Sequence, residues 1–268
     1  MKKIFSFCLI VFSALYFWAG CSEEAPPPAP KVQPATKAPP APKAPVTPQP
    51  QPAESETVKK WPFIEDNDSA VELADNFTAN NYILIFDGSG SMQKSECSGG
   101  RRKIDAAKAA VVEWSKSVPS DANLGLYAFH TDRTSVLPLS AGSRDRFIQT
   151  VQNIEPGGKT PLSNALAYAY KAFTLQARRQ LGYGEYTIVV VTDGIANNEQ
   201  RLAQNVNTIL ASTPITIYSI GFCIGQNHSL NQPGRTIYKA ADNPAELSKG
   251  LREVLAESET FDETEFNN

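Results

Sequence analysis

Tyr82-Ile83-Leu84-Ile85-Phe86-Asp87-Gly88-Ser89-Gly90-Ser91 is the stretch that decides the fold. Its first five residues are apolar without interruption, as a strand buried on both faces requires. The run then breaks into a loop in which oxygen-bearing side chains recur at every second position. Gly88 and Gly90 let the backbone wrap tightly, so Asp87, Ser89 and Ser91 can converge on one point. Beyond the loop, Ile104, Ala107, Val111, Trp114 and Val118 recur at helical spacing, and Pro119 stops them.

The same alternation continues outward. Leu124 to Phe129 reads as a second strand, with a weaker one near Ser135–Leu139. Phe147, Val151 and Ile154 mark a helix, and Leu162, Leu166, Ala169 and Phe173 a longer one. Tyr186 to Val191 is a third strong strand, rich in β-branched residues. Leu202, Val206 and Ile209 lie on a helix, Ile215 to Ile220 on a strand, and Thr236 to Lys239 on a short last one. Asn243 caps a final helix that opens on Pro244 and buries Leu247, Leu251 and Val254. Strands alternating with helices imply right-handed crossovers. The expected fold is therefore an α/β, doubly wound, mostly parallel sheet with helices on both faces.

Two further loops fall where strands end or helices begin, the edge that lines the ligand crevice in open α/β sheets. They are Gly157-Gly158-Lys159-Thr160-Pro161 and Val191-Thr192-Asp193-Gly194. With the first loop they offer the carboxylates of Asp87 and Asp193 and the hydroxyls of Ser89, Ser91 and Thr160, all hard oxygen donors. That set suits Mg²⁺, with Mn²⁺ or Ca²⁺ as alternatives. The order Asp-x-Ser-x-Ser, then Thr, then Asp-Gly resembles a von Willebrand factor type A domain with its metal-ion-dependent adhesion site, over roughly residues 80–258. The resemblance implies one antiparallel edge strand, which Ser135–Leu139 fits, Pro138 being tolerable at an edge. It makes Ser89, Ser91 and Thr160 hydroxyl ligands, and has Asp87 and Asp193 hold the ion directly or through water. It also implies a protein partner that completes the ion's shell with an Asp or Glu carboxylate.

The chain ends read differently. Lys2 and Lys3 precede an apolar run from Ile4 to Ala19, and Ala19-Gly20 stand before Cys21. Sixteen helical residues span roughly 24 Å, short of a bilayer core of ~30 Å, so residues 1–20 read as a secretory signal. The small pair before Cys21 resembles a bacterial lipobox, although Trp18 stands where an aliphatic residue is usual. The expectation is a lipid on Cys21 and, from Ser22, sorting to the outer membrane. Of 20 prolines, 12 lie between Pro26 and Pro52. Residues 21–60 are thus a lipidated cysteine and a Pro-rich linker that cannot bury enough surface to order itself. A folded domain over 61–260 and an acidic tail over 261–268 complete the expected organisation.

Charge and counts exclude several classes. With 25 Lys+Arg against 28 Asp+Glu, no basic excess covers phosphates, so no nucleic-acid partner is expected. Two histidines make a His-rich metal centre improbable. Gly158-Lys159-Thr160 imitates a P-loop end, but Asn153 occupies the position of its first glycine, so no nucleotide is expected. Ser89 replaces the second acid of aspartyl phosphatases, and neither serine has a Gly-x-Ser-x-Gly context. Once Cys8 leaves with the signal and Cys21 takes lipid, Cys97 and Cys223 remain as an even pair in an oxidising compartment, read as a disulfide. His130 reads as a rim residue, His228 as surface, and Arg101-Arg102-Lys103 as a solvated edge. The functional expectation is a membrane-anchored, non-enzymatic protein-binding module working through Mg²⁺. A metal-independent envelope scaffold and a small metal-dependent hydrolase are the alternatives.

Overall fold

The computed structural model describes residues 61–62, 71–131 and 133–256. The signal, the Cys21 lipidation site, the linker and the acidic tail lie outside the described residues.

Six strands form one sheet in the order β3-β2-β1-β4-β5-β6. They are β1 (Asn80–Gly88), β2 (Asn123–His130), β3 (Arg133–Ser140), β4 (Glu185–Thr192), β5 (Thr216–Phe222) and β6 (Ile237–Ala241). Every pairing is parallel except β2 with β3, which runs antiparallel and makes β3 the expected edge strand. Pro138 sits exposed on that edge, where its missing N–H breaks no ladder.

The apolar run of β1 splits by parity. Tyr82, Leu84 and Phe86 face a core built with α1 (Lys103–Ser117), α2 (Arg144–Gln152) and α5 (Pro244–Ala256). Ile83 and Ile85 face the opposite core, built with α3 (Leu162–Arg179) and α4 (Glu199–Ser212). Burial on both faces is why the run shows no polar alternation. Trp61 packs edge-on against Tyr186, 5.1 Å between ring centroids, and donates from Nε1 to Thr174 Oγ1 at 3.0 Å. The last helix starts as expected: Asn243 Oδ1 accepts from the N–H groups of Ala245 and Glu246, each at 3.0 Å.

The chain runs β1, β2, β3 to one side and then crosses to β4 on the other side of β1. The C-terminal ends of β1 and β4 therefore flank the point where strand order reverses, the usual ligand crevice of such sheets. Phe86 pairs with Val191, so Asp87 and the Thr192-Asp193 pair emerge side by side.

Candidate metal centre

β1 delivers Asp87 into a fully buried position. Its two oxygens are held separately: Ser89 N–H donates to Oδ1 at 2.8 Å, and Thr192 Oγ1 donates to Oδ2 at 2.5 Å. Burial pushes the Asp87 carboxyl up to about 6, against hydrogen bonds from Ser89 and Thr192 that pull the other way; the Asp193 charge adds a smaller upward push. Gly88 is obligatory here. A Cβ would meet the Phe129 carbonyl oxygen at 2.9 Å and His130 Cβ at 2.8 Å, so the loop needs glycine for close approach to β2.

Ser89 and Ser91 place their hydroxyls 3.0 Å apart over a short 3₁₀ turn, Gly90–Gln93. Ser91 Oγ donates to Asp193 Oδ1 at 2.5 Å, joining the first loop to the third. The second loop is stitched to both neighbours. Gly157 N–H donates to Gly88 O at 2.8 Å, Gly90 N–H to Gly158 O at 3.2 Å, and Asn197 N–H to Thr160 O at 3.1 Å. Thr160 N–H in turn donates to Asn197 Oδ1 at 3.2 Å. Lys159 in the turn therefore does not carry Thr160 away from the site.

Gly194 shows where these groups point. A Cβ built on it would lie 3.5 Å from Ser91 Oγ, 3.6 Å from Thr160 Oγ1 and 4.0 Å from Asp87 Oδ2. Oxygens from the first two loops thus face one small space left open by the glycine of the third. Asp193 joins them through Ser91, and Ser89 through its contact with Ser91. The structure brings together all five residues singled out from the sequence. The donors are oxygens only, two of them carboxylates, which fits a hard divalent cation. Among the described residues, no three His, Cys, Asp or Glu side chains cluster in a way that could hold a metal. The chemistry of this site rests on hydroxyls instead.

Lys103 is a correction. It was expected on a solvated edge, yet it is buried, with Nζ 3.0 Å from Asp193 Oδ2 and 3.8 Å from the exposed Glu96. The pattern carried the signal: Lys103, Ala107, Ala110 and Trp114 share one buried stripe of α1. His228 is a second correction. It is buried rather than on the surface; its Nε2 lies 3.0 Å from Gly194 O, and its Nδ1 accepts from Leu230 N–H at 3.0 Å. It braces the loop that carries Asp193. Burial holds its imidazole below the ordinary value, against an opposing pull from the Gly194 carbonyl. Thr192, which fixes Asp87, was also missed. His130 takes its expected hydrogen-bonding place, Nε2 lying 2.9 Å from Ser135 Oγ.

Cys97 and Cys223 are paired in a disulfide, their Cα atoms 6.0 Å apart across 126 residues. The bond ties the loop after the first hydroxyl pair to the end of β5. Both cysteines adopt positive φ, 49° and 64°, a conformation that non-glycine residues rarely take.

Residues 82–195 match the von Willebrand factor type A domain family. The chain is 29% identical over 174 residues to the uncharacterized protein YwmD of Bacillus subtilis, covering 57% of this chain and 73% of that protein. A von Willebrand factor type A structure from Catenulispora acidiphila superposes with a TM-score of 0.54 at 22% identity, over 68% of this chain and 43% of that one. The pilus adhesin SpaC from Lactobacillus rhamnosus GG does so at 0.54 and 12% identity, over 69% and 31%. The PilB minor pilin from Streptococcus sanguinis gives 0.52 at 16% identity, over 68% and 61%. This chain spans less than two thirds of each of the three solved chains. At these identities the structural likeness concerns the fold.

Proposed function

We propose that this chain, whose residues 82–195 match the von Willebrand factor type A domain family, is a protein-binding module whose site holds a divalent cation, Mg²⁺ first, and takes an Asp or Glu carboxylate of a partner. The observation that carries the reading is the set of hydroxyl and carboxylate oxygens facing one space over Gly194. Ser89, Ser91 and Thr160 would supply neutral oxygens, and Asp87 and Asp193 the charge. When bound, the ion supplies an electrophilic position that neutral hydroxyls do not quench.

The residues of the chain do the positioning. Ser89 N–H and Thr192 Oγ1 hold the Asp87 carboxylate in one orientation, and Ser91 fixes Asp193. The 157–160 loop, bonded to Gly88 and Gly90, sets the reach of Thr160. Nothing in this arrangement requires bond breaking, and we propose binding rather than catalysis. Isothermal titration of Mg²⁺ into wild type and Asp87→Ala tests the reading; equal affinity in the two would overturn it.

A second reading rests on Lys103. Its ammonium already answers Asp193 without a metal, which favours a metal-independent envelope scaffold. Capture of a partner from an envelope extract, with EDTA and Asp193→Ala controls, separates the two. Capture insensitive to both controls supports the scaffold.

We also propose that the molecule is anchored by lipid on Cys21 in a bacterial envelope, at the outer membrane, with residues 22–60 as a tether. Labelling with radioactive palmitate in wild type and Cys21→Ser tests the anchor, and equal labelling would exclude it.

A further inference from the structure

A recess of about 220 Å³ lies beside the candidate metal centre, on the β2–β3 side. Phe129 and His130 from β2, Arg133 and Thr134 from β3, and Gly157, Lys159 and Pro161 from the second loop line it. The recess and the centre share a wall: Lys159 and Pro161 flank Thr160, and Phe129 pairs in register with Asp87. Two cations stand on its rim. Arg133 and Lys159 are both exposed, and among the described residues neither enters an ion pair. Three other cations of this end are committed. Arg102 and Lys108 pair with Glu155, and Lys103 with Asp193. Arg133 is near enough for its charge to help hold the His130 imidazole below its ordinary value, burial being the larger cause. A positive, partly enclosed space next to a carboxylate-seeking site is complementary to a second negative group on the same ligand.

We propose that this recess binds a second carboxylate of the partner through Arg133 and Lys159, so that the preferred ligand is an acidic peptide segment bearing two carboxylates, one at the metal centre and one in the recess. The inference rests on the metal reading above for the first carboxylate only. The second contact would discriminate against partners with one isolated Asp or Glu, because they leave the recess cations unanswered.

The test uses fluorescent alanine-glycine peptides carrying one Asp, or two Asp separated by zero, one or two residues. Binding to the full chain is followed by anisotropy in Mg²⁺ at physiological salt. At least one two-acid peptide should bind ten-fold or more tightly than the one-acid peptide. Arg133→Glu with Lys159→Glu, and the milder Arg133→Gln with Lys159→Gln, should remove that gain, read as the ratio of two-acid to one-acid affinity; in the glutamine pair one-acid binding and Mg²⁺ affinity should change by less than the gain itself. Lys171→Glu on α3 should retain the gain, as should Asp132→Asn, which removes the acid next to Arg133 in sequence. No gain for any two-acid peptide, a gain that survives the double reversal, or its loss in either control variant would overturn the proposal. Should calorimetry show no Mg²⁺ binding to wild type, the metal reading fails separately. The same peptide comparison without metal then decides the recess: a gain lost on double reversal supports it, and its absence overturns it.

Discussion

Lys103→Met is the perturbation that most sharply separates a metal centre from a closed ion pair. In the metal-free protein the Lys103 ammonium neutralises a carboxylate whose side chain is wholly buried, at 3.0 Å. Removing one partner of a buried pair leaves the other charge uncompensated, which costs about 3–5 kcal/mol. Asp193 keeps its bond from Ser91, so the lower end applies. With roughly 2–4 °C lost per kcal/mol in a domain of this size, melting in EDTA should fall by about 6–12 °C. Mg²⁺ should act in the opposite sense. An ammonium and a divalent ion drawn to the same carboxylate repel; at roughly 5 Å and an effective dielectric near 20 the repulsion is ~6–7 kcal/mol. A turn of Lys103 toward Glu96, now 3.8 Å away, would relieve part of this, yet a remaining penalty of about 1.4 kcal/mol already means ten-fold. The variant should therefore bind Mg²⁺ at least ten-fold more tightly, by calorimetry. At about a hundred times its dissociation constant the ion should return roughly 2.7 kcal/mol of stability. Unchanged or weakened Mg²⁺ affinity in Lys103→Met, with the protein still folded, would refute the reasoning and favour the scaffold reading.

Three further outcomes follow from the same geometry. Gly194→Ala should fold, because a Cβ there meets only ordinary contacts at 3.5–4.0 Å. Its methyl occupies the space between Ser91 and Thr160, so Mg²⁺ binding should weaken at least ten-fold by calorimetry while the melting temperature stays near wild type. Replacing Cys97 and Cys223 by serine opens a 126-residue link. The chain-entropy model sets the loss near 4–5 kcal/mol, less the relief of any strain, and denaturant unfolding with and without reductant reads it. The Asp87 carboxyl, raised from 3.8 to about 6 by burial, holds its proton more tightly in the metal-free fold than in the unfolded chain. Its contribution to stability is therefore fully present below about 3.8 and lost as pH rises through about 6. A divalent ion requires the carboxylate, so Mg²⁺ affinity should be level above pH 6 and fall up to ten-fold per unit below it. Calorimetry at pH 5, 6 and 7.5 checks this, and an affinity flat across that range would count against Asp87 as a ligand.

The fold was legible because its signals are local and repeated. The β1 run, the helical spacing of α1 and the Asn243 cap each name an element from a few residues, and the order of elements then restricts the topology. Even the edge strand β3 kept its sign, its exposed Pro138 marking a ladder with one open side. The five candidate ligands were legible for a different reason: they sit on loops whose residue types are costly to explain as turns alone. The residues that hold those ligands were not. Thr192 reads as one more β-branched residue at a strand end, and nothing in its neighbours along the chain says that its hydroxyl reaches Asp87 across 105 residues. His228 lies among polar loop residues and becomes buried only because its ring stacks on Tyr238 and meets the Gly194 carbonyl.

Lys103 differs from both, because its burial was available from periodicity and its charge argued against it. Arg101, Arg102 and Lys103 look alike as a cationic run, but the α1 stripe passes through only the third. A lysine on the apolar stripe of a helix is expensive unless an acid waits beneath it. At the start of α1 the helix packs beside the first loop, and Asp193 of the adjoining third loop is the acid. The lysine is thus itself a sign of the centre: this end of the sheet must contain enough negative charge to hold a buried ammonium. The same balance sets the working charge of the cradle. Two carboxylates less one ammonium leave about one negative charge; under the proposed function that would attract a divalent ion and leave it net positive toward an incoming carboxylate. A cradle without Lys103 would then bind such an ion more tightly and a carboxylate partner less so. On that proposal the lysine would trade metal affinity for the electrophilicity that the binding reaction uses.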